Sequence, residues 1–197
     1  MGFELIQGVS VTDLTGIESA YSVGEGYIDA VLSAELIRPA LEALLRLLDE
    51  PHFFYLELPC DEKKENELRK SKRDPMHVDV YYLDNCTREV TLAILDRYGD
   101  LLINDGLVRF GFGSHKTNDE VDVLKYQQIV VYGGERYAAA FKGLGLPQTG
   151  ELKTMWDNFT PETPGACSNV EIEGEKIYDI PDLLQDAGMY YAETREE

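Results

Sequence analysis

At 197 residues with 44% hydrophobic side chains, the chain is long enough to bury a substantial core and reads as one domain. Its 37 acidic residues outnumber 18 basic ones, a net charge of −19, which argues against attraction to nucleic-acid phosphates or anionic membranes and favours a basic protein partner or a cation. Cys60, Cys86 and Cys167 are odd in number and widely spaced, so neither a disulfide framework nor a CxxC metal knuckle is expected.

The start, MGFELIQG, lacks the basic and apolar stretches of a secretion signal, and the chain contains no uninterrupted apolar run of membrane-spanning length. A cytoplasmic location is the expectation. The first clear element is LIRPALEALLRLLDE, where Ile37, Leu41, Leu44, Leu45 and Leu48 recur at helical spacing opposite Arg38, Glu42, Arg46 and Asp49. Because Pro39 is tolerated best in a first turn, the helix is expected to begin near Arg38, with SAEL as its approach.

HFFYLELP alternates Phe54, Leu56 and Leu58 with Phe53, Tyr55 and Glu57, and HVDVYYLD alternates Val78, Val80 and Tyr82 with His77, Asp79 and Tyr81. Both read as strands with a buried face. Between them, residues 61–74 hold six basic and five acidic side chains with Leu68 as the lone large apolar one, which predicts a solvated loop or loose helix. TREVTLAILDRYG predicts a second helix capped at Thr87 or Asn85, with Val90, Ala93, Ile94 and Tyr98 inward and Gly99 as a stop.

LVRFGFG and VDVLKYQQIVVY predict paired strands turning through HKTNDE, with Val108, Phe110 and Phe112 in the core. ERYAAAFKG follows as a short helix with Gly143 at its C-terminal cap. From about residue 144 the chain is expected to form a looser subregion, with ELKTMWDNF as a short helical stretch, VEIEGEKIYDI as a hairpin about Glu173 and Gly174, PDLLQDAGMYY as a helix with Pro181 at its first position, and AETREE as a frayed tail. Together these elements predict a single α+β domain over 1–197, a predominantly antiparallel sheet packed by two or more helices.

GFGSHK carries only GxG, without the later glycine and helix opening that cradle phosphate, so nucleotide binding is excluded on this motif. Gly111 and Gly113 are expected to permit a bulge or the close approach of another segment. His115 with Asp119 or Glu120 could supply a base and its orienting carboxylate, and Ser114 a nucleophile, yet the spacing reads more simply as a polar turn. His77, Asp79 and Tyr81 share a strand face that Tyr55 or Glu57 could join. Cys60, His77, Cys86 and His115 have no metal-ligand spacing, so neither a metal site nor a cofactor is expected, and a Cys60–His77 nucleophilic pair is less simple than an apolar thiol at a strand end.

The C-terminal third mixes Trp156, Phe159, Tyr190 and Tyr191 with Glu171, Glu173, Glu175, Asp179, Asp182 and Asp186, and residues 168–197 alone carry nine acids against two bases. That combination suits recognition of a cationic surface. The functional expectation is therefore an acidic binding protein for a basic partner, of the inhibitor or toxin-immunity type. The alternative is a hydrolase or metal-assisted enzyme built on His77 or His115.

Overall fold

The protein is described over residues 2–197 by a computed structural model. In chain order its elements are β1 (Val9–Ser10), β2 (Ala20–Val23), β3 (Tyr27–Val31), α1 (Ala34–Leu47), β4 (His52–Pro59), α2 (Glu62–Leu68) and β5 (His77–Cys86). There follow α3 (Arg88–Asn104), β6 (Arg109–Ser114), β7 (Asp119–Leu124), β8 (Gln128–Tyr132), α4 (Ala138–Gly143), β9 (Ala166–Cys167), α5 (Ile180–Leu183) and β10 (Tyr190–Glu196). Eight of the strands form one antiparallel sheet in the order β10-β5-β4-β6-β7-β8-β3-β2, and β1 pairs with β9 apart from it. The fold is α+β, as the alternation of strand and helix periods predicts.

One face of this sheet is apolar across its central strands. Phe54, Leu56, Phe110, Phe112, Val121, Ile129, Val131, Ile28 and Ala30 are buried in a single cluster with Ile37, Leu41, Leu44 and Leu45 of α1 and with Ile94, Leu95 and Leu102 of α3. At about 2 kcal/mol per fully buried large apolar side chain, this two-layer contact is the main source of stability.

Helix α1 begins at Ala34 rather than near Arg38, because Ser33 provides the start: its Oγ accepts the Glu4 N–H and donates to Glu35. Pro39 thus lies beyond the first turn, where its missing N–H leaves the Glu35 carbonyl without the usual helical donor. Helix α3 runs through Gly99 to Asn104 instead of stopping. A Cβ at Gly99 would lie 3.4 Å from an Arg38 Nη, so the glycine marks the close approach of α3 to α1 and not a helix end. Val90 and Ala93, expected inside, are exposed, and Thr91, Ile94, Leu95 and Tyr98 form the inner stripe.

Residues 61–74 include the short helix α2, capped by Asp61 accepting from the Lys64 N–H at 2.7 Å. The single strand expected over VDVLKYQQIVVY is two, broken at Tyr126 and Gln127, which take φ of 59° each. Gln127 explains the break: its side chain accepts the Ile6 N–H at 3.0 Å and donates to the Leu32 and Glu4 carbonyls, tying three segments together. Positive φ at two non-glycine residues is held by these buried bonds.

After α4, whose left-handed stop is Gly145 and not Gly143, the chain crosses the β2 edge, where Tyr21 exchanges hydrogen bonds with Pro147 and Thr149. MWDN forms one 3-10 turn in place of the expected helical stretch, and Glu173–Gly174 make a tight turn closed by the lone bridge Ile172–Glu175. Irregular as this segment is, Met155, Ile177, Ile180, Leu184 and Met189 are buried in the main cluster. The helix expected over PDLLQDAGMYY is confined to four residues in which Pro181 is the second, because Tyr190 and Tyr191 already belong to a strand. AETREE is no frayed tail: it completes edge strand β10, registered from Tyr190 opposite Tyr82 to Glu196 opposite His77.

Gly111 and Gly113 sit where the sheet's second face is most crowded. A Cβ at Gly111 would collide with the Val121 carbonyl and lie 2.6 Å from the Tyr55 ring, and one at Gly113 would strike the Phe53 ring. The rings of β4 thus lie flat across the glycines of β6. Gly111→Ala is expected to cost about 2 kcal/mol through overpacking, read as a lower urea midpoint with an unchanged m-value.

Candidate functional site: the open sheet face

The face away from α1 and α3 is built by the alternate residues of the same strands. Register places Tyr190, Tyr82, Tyr55, Gly111, Asp122, Val130 and Asp29 in one row across seven strands, with Phe53, Gly113, Glu120, Tyr132 and Tyr27 in the adjacent row. Tyr27, Tyr132 and Tyr190 are exposed, whereas Phe53 and Tyr55 are buried by their neighbours' rings.

This face is concave. Glu197, just past the edge strand β10, pairs with Lys125, just past β7. Four ladder spacings of about 4.8 Å would separate those strands by about 19 Å in a flat sheet, beyond the reach of the two side chains, so the sheet coils inwards. Arg195 likewise reaches from β10 over Val78 to Glu57 of β4.

The two ends of the trough differ in charge. At one end Glu57, 1% exposed, is held between Arg195 and Arg109, the latter at 3.2 Å, and a cleft of about 390 Å³ is lined by Arg109, Lys125, Gln128, Trp156 and Glu197. Every charge there has an opposite partner close by.

At the middle and the other end the carboxylates stand without cations. Asp29, Glu120 and Asp122 form no ion pair within 4.0 Å among the described residues. Burial, with Asp122 beside it, raises Glu120 to about pH 7. Burial also raises Asp122, against the opposing effects of a 2.7 Å hydrogen bond from the Tyr55 hydroxyl and of Arg109. Asp29 is raised by burial although Gln128 Nε2 donates to both its oxygens at 2.9 Å. Desolvated negative charge is costly unless a positive group is supplied.

Beside Glu120 a cleft of about 330 Å³ is lined by Phe53, Tyr82, Asp84, Ser114, His115, Asn118, Glu120 and Tyr190. Its rings touch in sequence: His115 stacks on Phe53 at 4.6 Å, Phe53 meets Tyr82 at 5.9 Å, and Tyr82 meets Tyr190 at 6.5 Å. Asp84 accepts from the Tyr190 hydroxyl at 2.8 Å and lies 3.6 Å from His115 Nε2.

Comparison with protein-family models, curated proteins and solved structures gave no match.

The residues singled out by the sequence are dispersed. Strand alternation sends Glu120 to the trough but Asp119 to the helix face, where it accepts from Arg136 and, at 2.7 Å, from the Tyr137 hydroxyl. Burial pushes Asp119 up, but those bonds outweigh it and leave it lowered. Ser114 is buried and its Oγ accepts the Lys116 N–H, while His115 is exposed at the cleft's rim, so the three do not converge into a nucleophilic triad.

His77, Asp79 and Tyr81 do share a face, but Tyr55 and Glu57 point to the other one. Glu65 accepts from the His77 N–H at 2.6 Å and meets its ring at 3.2 Å. Asp79 takes hydrogen bonds of 2.6 Å from both Lys64 and Thr194, which outweigh burial and lower it, and Tyr191 packs edge-on against Tyr81. Burial, followed by the neighbouring Asp79, pushes the Cys60 thiol up to about 11, the opposite of an activated nucleophile. Among the described residues no three His, Cys, Asp or Glu side chains are grouped to hold a metal ion.

Of the aromatic and acidic residues expected to bind a partner, Tyr190 lies in the trough and Trp156 lines its ion-paired end. Tyr191 faces the other way, towards Tyr81 and the Lys64 ammonium at 5.2 Å. Glu175 pairs with Arg97 of α3 at 2.5 Å, Glu171 with Lys176, and Asp179 caps the Lys176 N–H, while Glu173, Asp182 and Asp186 are exposed. Phe53, Tyr82, Asp84 and Asp122 were not among the candidates, and Tyr55 was one only for the opposite face. Their signal was present in the second face of two strands, F-Y-E on β4 and E-D at alternate positions on β7, but it becomes a site only through the strand order.

Proposed function

We propose that this protein binds a basic protein surface in the trough, so that cationic side chains of the partner enter among its tyrosines and carboxylates. One observation carries this reading: Asp29, Glu120 and Asp122 are raised and lack ion pairs among the described residues, on the same face where Glu57 has two arginines. Negative charge left unneutralised on a concave aromatic surface is complementary to an arginine- and lysine-bearing partner. A net charge of −19 adds long-range attraction and an encounter rate that falls with salt. A partner whose own ligand is a polyanion would be blocked by such occupancy, the behaviour of an inhibitor or immunity protein.

The test separates this face from net charge. Asp29→Asn/Glu120→Gln/Asp122→Asn is expected to weaken calorimetric binding of an oligo-lysine peptide by about 10-fold or more and flatten its salt dependence. Glu67→Gln/Glu89→Gln/Glu162→Gln removes at least as much charge from exposed positions elsewhere and should still cost far less. Equal losses in the two triples would reduce the trough to one part of a diffuse acidic surface and overturn the proposal.

A further inference from the structure

We propose that the cleft between Tyr82, Tyr190, Phe53 and Glu120 is an arginine-binding subsite, receiving one guanidinium of the basic partner. The inference rests on the binding role proposed for the trough and names the side chain that anchors it.

Geometry, more than charge, selects the ligand. The cleft's volume of about 330 Å³ gives room for a single long side chain with its planar head. Phe53, Tyr82 and Tyr190 offer a chain of ring contacts between 5.9 and 6.5 Å, with His115 stacked on Phe53 at the rim. Guanidinium stacks flat on such rings while its N–H fork remains free for carboxylates, whereas an ammonium is a compact, strongly hydrated point charge that loses more solvation here.

Two carboxylates flank the rings from different strands. Glu120, on β7, is registered opposite Tyr132, with Asp122 as its near neighbour and no basic partner of its own. Asp84, on β5, is partnered by the Tyr190 hydroxyl and His115, both of them exposed side chains. A guanidinium between them would receive charge-assisted hydrogen bonds from two sides. It would also neutralise Glu120 where water is partly excluded by Phe53 and Tyr82. Backbone supports the same site, since Gly113 has no Cβ to lift the Phe53 ring from the sheet.

The experiment compares oligo-arginine with oligo-lysine peptides of equal length on the full chain, by calorimetry at matched salt. Oligo-arginine is expected to bind about 10-fold more tightly. Tyr82→Leu and Glu120→Gln should each weaken oligo-arginine binding more than oligo-lysine binding, and so erase most of that preference. Methylguanidinium should shift the ring resonances of Tyr82, Phe53 and His115 in NMR titration, and methylammonium should leave them in place. A preference for arginine that survives both substitutions, or equal binding of the two peptides, would overturn the subsite and leave the trough's wider role standing. Absence of binding by either peptide would overturn the wider role and the subsite with it. Circular dichroism of each variant establishes that it is folded, and Tyr190→Leu, at the sheet edge, gives the same reading should Tyr82→Leu unfold.

Discussion

Arg109→Ala/Arg195→Ala is expected to lower the unfolding free energy by about 3 kcal/mol or more, a fall in Tm of roughly 6–12 °C. Glu57 is 1% exposed, in the middle of the sheet, and these two guanidiniums are its ion-pair partners. Its Oε2 has the Arg109 ion pair at 3.2 Å but no aligned hydrogen bond, so there is little else to hold the charge. Removing both cations leaves a buried carboxylate uncompensated, which is worse than having no charge there at all. Adding Glu57→Met to the double variant should therefore recover most of the loss, although it deletes a third polar group. Urea unfolding of the wild type, double and triple variants decides the matter: a triple no more stable than the double would show that the arginines act by packing across Val78 and Val80 instead. The same comparison reports on β10, since Arg195 is a link from this edge strand to the centre of the sheet.

That edge strand illustrates what the sequence could and could not disclose. Helices α1 and α3, strands β4 to β6 and the HKTNDE turn follow from periodicity because their apolar residues recur on one face. YYAETRE has no such face. Its polar residues are those of an outer strand, and its partner β5 is more than a hundred positions earlier, so local pattern gives no sign of the pairing. AYSV and YIDAV of β2 and β3 are too short to display alternation. Gly99 reads as a stop by propensity, yet its meaning is contact between helices, and the reversal at Tyr126–Gln127 depends on bonds from Gln127 to residues 4, 6 and 32. Tertiary partners decide each of these.

The candidate site shows the same limit. Glu120 was legible as an ionisable residue near His115, but its relevant neighbours are Asp122, Phe53 and Tyr82, brought in by the order β5-β4-β6-β7. Asp119, adjacent in sequence, lies across the sheet from it. The spacing allowed a catalytic cluster but read more simply as a polar turn, and strand alternation divides its residues between two faces.

Glu120 also links binding to stability, with a sign that can be measured. Its folded value is raised to about 7 by burial and by Asp122, above the 4.5 of an unperturbed glutamate. The folded state therefore binds this proton more tightly than the unfolded state does. The penalty is fully present above about pH 7, declines as pH falls through that value, and is gone below the unfolded pKa. His52 acts in the opposite sense: burial lowers its pKa, so the stability it contributes above the unfolded value of 6.5 is lost as pH falls. The two effects overlap below the unfolded histidine value of 6.5 and obscure each other in the wild type alone, but the difference between wild type and Glu120→Gln cancels His52. Near pH 8 the variant should be the more stable by about 1 kcal/mol, a value reduced from the full shift because water reaches the half-open trough, or roughly 2–4 °C in Tm. Near pH 5 the advantage should shrink towards zero. If calorimetry showed Glu120→Gln less stable at both pH values, the glutamate would be holding the sheet together. A gain in stability coupled to weaker binding of arginine is what a side chain kept for its partner should give, since its charge is costly to the free protein and offset in the complex.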